Sequence, residues 1–483
     1  MILQKRLMHM LLFATLLLLG NAGYAQYKID LQVNGLRDSS IIFGYYFAEG
    51  RYVQDTAKLD AKGHATIKRD SSLAKGLYLF LLPTGESLDL LIGDQQKFTF
   101  SVDSADPRNT QKVEGASLSQ EFLDFQTFMG QMQQKGAMVR KEDSVIRTLP
   151  ADDPNTEKKR EEIRNKYQTL DNQVKDYHKA LLEKHGDDVL GEFVRATIPI
   201  SLPEYQPDPK VKNQDSAHWM WSYAYNSAHY LDNINLASSS LLRSPLVLPK
   251  VNHFLDKMIL QIPDTLNKYC DLILERSRLN TETFRYWTSY LLNKYQSSEI
   301  IGMDAVFVHI AEKYYLAGRT PWVDDEFLSK LKDRVAHIKP NLLWAVAPNF
   351  KVETLNAQTF ELAKDKAEAT VLVFWEPSCS HCKVAIPKID SIARKYDPKR
   401  IHVIGFMTTG DGPEWQKYVY EHKLQWWIHV WDPYRKTGFH DNYDIYSTPV
   451  IYVLDKDHKI VIKRIGVESL QPILDDLLKP VKS

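Results

Sequence analysis

A chain of 483 residues is too long for one hydrophobic core, and at the usual ~100–200 residues per domain it divides into two to four units. Hydrophobic residues at 44% and charged residues at 25% lie in the ordinary globular range, which excludes wholesale disorder and a polytopic membrane protein. The 61 Lys and Arg balance 61 Asp and Glu, so no basic excess draws the chain to a polyphosphate backbone, and nucleic acid is not an expected partner.

The first residues, MILQKRLMHMLLFATLLLLGNAGYAQ, place Lys5 and Arg6 before an apolar run from Met10 to Leu19, then Gly23-Tyr24-Ala25. Charge, apolar run and small residues in that order predict a signal peptide over 1–25, cleaved after Ala25. The run is shorter than the ~20 residues of a spanning helix, and no cysteine follows it to carry a lipid. The expectation is a soluble protein, periplasmic or otherwise exported.

Residues 26–112 alternate short β-rich runs with turn residues, which predicts an antiparallel β-sandwich. Gly35, Gly63, Gly76, Gly85 and Gly93 fall at or between the apolar runs. Asp55 is the one carboxylate here that invites a catalytic reading, and a lone carboxylate in a β segment reads better as a turn or edge residue.

From Ser117 the spacing becomes helical, with Phe122, Phe125 and Phe128 on one face, and 117–340 reads as a helical domain. The stretch TEKKREEIRNKYQTLDNQVKDYHKALLEKHG mixes both charges without proline and predicts a long, solvated helix. His309 and His337 sit on later helices without a second ligand at metal spacing, so packing or surface roles are expected. Cys270, flanked by apolar neighbours in NKYCDLIL, reads as a buried inert thiol.

Residues 341–483 alternate strand and helix signals, which predicts an α/β domain with mixed strands. The run Ala369 to Trp375 is its expected central strand, and Cys379 and Cys382 follow at once in VLVFWEPSCSHCKVAIP. A pair of this spacing opening a helix puts the first sulfur near unsatisfied backbone N–H groups and the positive end of the helix dipole, which lowers its pKa. The thiolate is the species that attacks disulfides, so Cys379 is the expected nucleophile and Cys382, one turn deeper, the resolving residue. A zinc site would need two more ligands, and so short a disulfide loop restrains little chain entropy, so a redox pair is the preferred reading over either.

The segment VLVFWEPSCSHCKVAIP resembles the active-site strand and helix of the thioredoxin superfamily, especially its exported TlpA/ResA-like thiol-disulfide oxidoreductases. Phe374 and Trp375 match the aromatic pair before the cysteines, and Pro387 the proline that kinks the helix. STPVIYVLD matches the segment with the cis-proline, and APNFKVETL the opening β-hairpin. The resemblance implies a thioredoxin fold for 341–483, Pro449 as the cis-proline, and Thr448 and Trp375 as substrate-docking residues. Residues 26–340 resemble uncharacterised modules upstream of such domains in envelope proteins. The preferred reading is reduction of disulfides in envelope proteins, with electrons expected from a membrane-bound thiol donor because the chain lacks a G-x-G-x-x-G fingerprint for a bound flavin or nicotinamide. No cofactor beyond the cysteine pair is expected.

Three positions depart from the pattern. Ser378 replaces a tryptophan, Val373 a buried aspartate, and Ala385 a glutamate, so both usual proton acceptors for the resolving thiol are missing. Glu376, His381 or water is left for that task. Ser380 and His381 are expected to tune the thiol pKa, and a histidine inside the motif makes the disulfide more oxidising. The alternatives are a binding or adaptor protein with a vestigial thioredoxin-like domain, and an oxidase or isomerase.

Overall fold

A computed structural model describes residues 26–150 and 154–478, and the expected leader of residues 1–25 lies outside them. Contacts divide the chain into two compact units, one holding the residues up to Ile259 with Glu275–Phe284, the other Leu260–Leu274 with everything from Arg285 onward. The division falls within the helical region.

The first unit opens with eight strands in two four-stranded sheets. One runs β4 (His64–Arg69), β1 (Tyr27–Asn34), β7 (Lys97–Asp103), β8 (Lys112–Glu114); the other β3 (Gly50–Lys58), β2 (Ser40–Phe47), β5 (Gly76–Leu81), β6 (Ser87–Ile92). Period-two alternation buries Tyr27, Ile29, Leu31 and Val33 on one face of β1 and leaves their neighbours more open. Phe80 of β5 and Phe100 of β7 meet between the sheets with ring centroids 4.7 Å apart. Gly63 turns with φ +80°, and a Cβ there would lie 2.3 Å from the Val33 carbonyl oxygen. The sandwich is not purely antiparallel: β1 and β7 pair in parallel, Ile29 opposite Phe98, because the chain crosses to the second sheet for β2 and β3, returns beside β1 antiparallel as β4, and crosses again for β5 and β6 before β7 enters on β1's other side in the same direction. Asp55 pairs with Arg69 at 2.8 Å, an edge ion pair.

Helix Ser117–Ile146 packs Phe122 edge-on to Phe193 and stacks Phe128 on Tyr177, 4.0 Å between centroids, while the Ser119 hydroxyl donates to the Leu91 carbonyl at 2.7 Å. The charged helix Pro154–His185 buries little besides Thr156, Ile163, His178 and Leu181. Among the described residues no helix is long and apolar enough to cross a membrane.

In the second unit helical segments precede a seven-stranded sheet of order β10 (Thr359–Glu361), β9 (Lys351–Thr354), β13 (Ile428–Trp431), β12 (Ile401–Met407), β11 (Ala369–Trp375), β14 (Val450–Asp455), β15 (Ile460–Lys463). β11 pairs in parallel with β12 and antiparallel with β14, and all seven of its residues are buried. Ala369, Val371, Val373 and Trp375 face a core shared with helices Ser380–Ala393 and Gly412–Glu421, and Leu372 and Phe374 face the opposite core. The apolar run is uninterrupted because both faces of this strand are covered. Cys270 is fully buried, and burial pushes its thiol up to about 12, which leaves it inert.

Candidate functional site

β11 ends at Trp375, and Glu376-Pro377-Ser378 carries the chain across the strand's C-terminal edge into helix Ser380–Ala393. Cys379 is the N-cap of that helix, with extended backbone (φ −69°, ψ 122°), and its sulfur takes the place of the usual capping oxygen. The Cys382 N–H donates to Cys379 Sγ at 3.4 Å, and Cys379 Sγ lies 3.4 Å from the Thr448 carbonyl oxygen. Thr448 reaches the site from the loop before β14, and the Thr448–Pro449 peptide is cis. A residue 69 positions away in sequence thus contacts the nucleophilic sulfur.

The two sulfurs differ sharply. Cys379 is partly exposed; burial alone would raise its thiol, but the Cys382 thiol, the Thr448 side chain and the backbone N–H groups of Cys382 and His381 outweigh that and hold it below the usual value. Cys382 is fully buried, and desolvation, reinforced by the adjacent Cys379, pushes it up to about 12. Both are free thiols. An accessible sulfur that ionises easily beside a buried one that does not is the division of labour that attack and resolution require.

Ser380 and His381 have exposed side chains, and the contact that lowers the Cys379 thiol from His381 comes through its backbone N–H. Trp375 does not fit the docking role. It is fully buried and packs on Tyr418 at 5.2 Å between centroids, because the odd-numbered residues of β11 all face the core beneath the cysteine helix. Val373 and Ala385 line that same core as buried apolar groups, so neither position offers Cys382 a base. The Glu376 carboxylate accepts a hydrogen bond from the Thr408 hydroxyl at 2.9 Å and is half-buried. Pro387 lies inside the helix, two turns past the cysteines.

The side-chain role of Thr448 and the place of Tyr418 went unseen in the sequence. The Thr448 side chain lowers both thiols, a role that its place before a proline does not reveal. Tyr418 shares the core with Cys382, and burial and then the neighbouring Cys382 raise its phenol. In PEWQKYVYEHK it has the signature of any core-facing aromatic on an amphipathic helix.

The AhpC/TSA family profile matches residues 345–463, and a domain of unknown function, DUF5106, matches 209–341. A thiol-disulfide oxidoreductase ResA of Bacillus cereus is 25% identical over 127 residues, 26% of this chain and 72% of its own. ResA of Bacillus anthracis is 26% identical over 135 residues, 28% of this chain and 76% of its own. Among solved structures, a thioredoxin-like protein from Bacteroides caccae ATCC 43185 aligns with 57% of this chain and 97% of its own at 17% identity and TM-score 0.43. A domain of a possible thiol-disulfide isomerase from Cytophaga hutchinsonii ATCC 33406 aligns with 28% of this chain and 92% of its own at 36% identity and TM-score 0.27. The C-terminal part of this chain is an AhpC/TSA thioredoxin-like domain whose homologues are thiol-disulfide oxidoreductases.

Proposed function

We propose that this chain is an exported thiol-disulfide oxidoreductase that reduces disulfides in envelope proteins through Cys379 and Cys382. The observation that carries the reading is the contrast between the two sulfurs, one partly exposed and held low, the other buried and raised. The Cys379 thiolate attacks one sulfur of a substrate disulfide, forms a mixed disulfide and expels the other substrate sulfur as a thiolate. Cys382 then loses its proton and attacks Cys379 Sγ, which closes the internal disulfide and releases the second substrate thiol. Two electrons have passed to the substrate, and a membrane-bound dithiol donor restores the pair. The cysteine pair is the only redox group this cycle needs. The backbone of Thr448, beside Cys379, pairs with the substrate peptide as it arrives.

The decisive experiment uses Cys382→Ser in envelope extracts. Without the resolving thiol the cycle stops at the mixed disulfide, so adducts dissolved by reductant accumulate on Cys379, and Cys379→Ser abolishes them. Complete absence of adducts from folded protein at normal expression would transfer the function to the upstream regions as a binding or adaptor protein. Direction of electron flow is read from the reduction potential: a value near about −270 mV supports a reductase, and one near about −120 mV makes the chain an oxidant.

A further inference from the structure

Helix Asp325–Ile338 lies outside the thioredoxin-like sheet, yet it holds the loop that leads to Thr448. Arg334 Nη1 donates to Asp444 Oδ1 at 2.5 Å, across 110 residues of sequence. Arg464 Nη2 donates to the other carboxylate oxygen at 2.6 Å and also to the Asp444 carbonyl, and the Arg464 backbone N–H donates to the Ile451 carbonyl at 2.7 Å. Asp444 is buried and takes a left-handed backbone, φ +53°. Two residues on, the Arg334 guanidinium lies 5.7 Å from the centre of the Tyr446 ring, a side chain that is 71% exposed. Only Ser447 separates Tyr446 from Thr448.

One guanidinium therefore engages the segment twice, by a charged hydrogen bond at Asp444 and by its face at Tyr446. A planar cation can do both at once, whereas an ammonium offers a point charge. Other fastenings join this helical layer to the domain: His337 Nε2 of the same helix lies 3.2 Å from Asp441 Oδ1, Asn341 Nδ2 donates to the Asn442 carbonyl at 3.3 Å, and farther along Lys463 Nζ of β15 binds Asp304 Oδ2 at 2.5 Å and Asn341 Oδ1 at 2.7 Å. These contacts hold the layers together independently of Arg334. Loss of Arg334 would leave Asp444 paired with Arg464, so the loop would gain freedom while the domain kept its fold.

We propose that Arg334 is a positioning residue for the redox reaction: by holding Asp444 and Tyr446 it fixes the segment that carries Thr448 to Cys379, so a helix outside the thioredoxin fold sets substrate docking and nucleophile reactivity. This rests on the reading of Cys379 as the nucleophile. Small displacements matter at such a site, because attack requires the sulfur and its hydrogen-bonding partners in near-reactive geometry.

The test compares full-length protein with Arg334→Gln and Arg334→Lys, reading the thiolate absorbance of Cys379 against pH and the kcat and KM for a disulfide-bonded peptide and for hydroxyethyl disulfide. Both variants should titrate Cys379 closer to an ordinary thiol, and KM for the peptide should rise by roughly tenfold. Hydroxyethyl disulfide, which has no peptide backbone to dock, should show a much smaller change in KM. Lysine should fail to rescue, since it loses the fork and the ring contact. Wild-type titration and wild-type peptide KM in both folded variants would overturn the proposal. Should Arg334→Gln not fold, Tyr446→Ala removes the ring contact without leaving a buried charge, and the same readouts apply. If the wild type reduces no disulfide, the reading of the site fails, while the Cys379 titration in the variants still decides whether Arg334 governs the loop.

Discussion

The backbone N–H of Cys382 stands 3.4 Å from the sulfur of Cys379, and the same residue's own sulfur is buried behind it. Cys382 thus stabilises the neighbouring thiolate with its main chain while its side chain stays protonated. Iodoacetamide at neutral pH should modify one cysteine in the folded, reduced protein, Cys379. Cys270 and Cys382 should react only after unfolding. Peptide mass spectrometry reads the outcome directly, and equal labelling of Cys379 and Cys382 in native protein would contradict the assignment of roles.

The same asymmetry fixes how the reduction potential varies with pH. Below the Cys379 pKa, reduction of the disulfide takes up two protons with two electrons, and the potential should fall by about 59 mV per pH unit. Above it one proton suffices, because only Cys382 is protonated, and the slope should halve to about 30 mV per unit. Since the Cys379 thiol is lowered from the ordinary 9.0, the break should come below that pH. Equilibration against thiol-disulfide buffers across pH 5 to about 9 gives the curve. A constant two-proton slope over the whole range would mean that Cys379 is not activated.

Thr448 offers a finer test, because its side chain lowers both thiols. Thr448→Val keeps the shape and removes the hydroxyl. The Cys379 pKa should move up, the thiolate fraction at neutral pH should fall, and alkylation should slow by about three- to tenfold. An unchanged alkylation rate would show that the backbone N–H groups alone set the reactivity.

His429 makes the acid stability of the C-terminal domain predictable. It is almost fully buried, its Nε2 lies 2.9 Å from the Leu424 carbonyl, and desolvation lowers it from 6.5 to about 4. A folded-state value below the unfolded one means that the unfolded chain takes up the proton first as pH falls. The stability associated with neutral His429 is therefore complete above about pH 6.5 and is lost progressively toward pH 4, by about 3 kcal/mol in all. Urea midpoints of wild type and His429→Gln should converge as pH drops through that window. Parallel midpoint curves from pH 7 to about 4 would refute this.

What was legible in the sequence is local. Short β-rich runs between turn residues marked the strands, an uninterrupted apolar run marked β11 as a central strand, helical spacing marked the Phe122, Phe125 and Phe128 face, and mixed charge without proline marked the long charged helix. The cysteine pair could be placed at a strand-to-helix junction because capping and dipole effects act within one turn. The parallel pairing of β1 with β7 was not legible, since the choice of partner strand depends on where the chain returns after each of two crossings to the second sheet. Trp375 was misread for a related reason: aromatic character suits a docking surface and a core equally, and only the strand's orientation sends the ring inward.

Local sequence accounts for two thiols at the mouth of a helix and for the backbone N–H groups of His381 and Cys382 beside the first, because these lie within three residues of Cys379. Their surroundings come from distant parts of the chain. Thr448 comes from 69 residues away to contact Cys379, and Arg334 from 110 residues away to contact Asp444, and no periodicity or spacing encodes such contacts. They arise when separate elements bury their apolar faces together, and that packing, acting on the whole unit at once, sets how the polar groups at its edge meet.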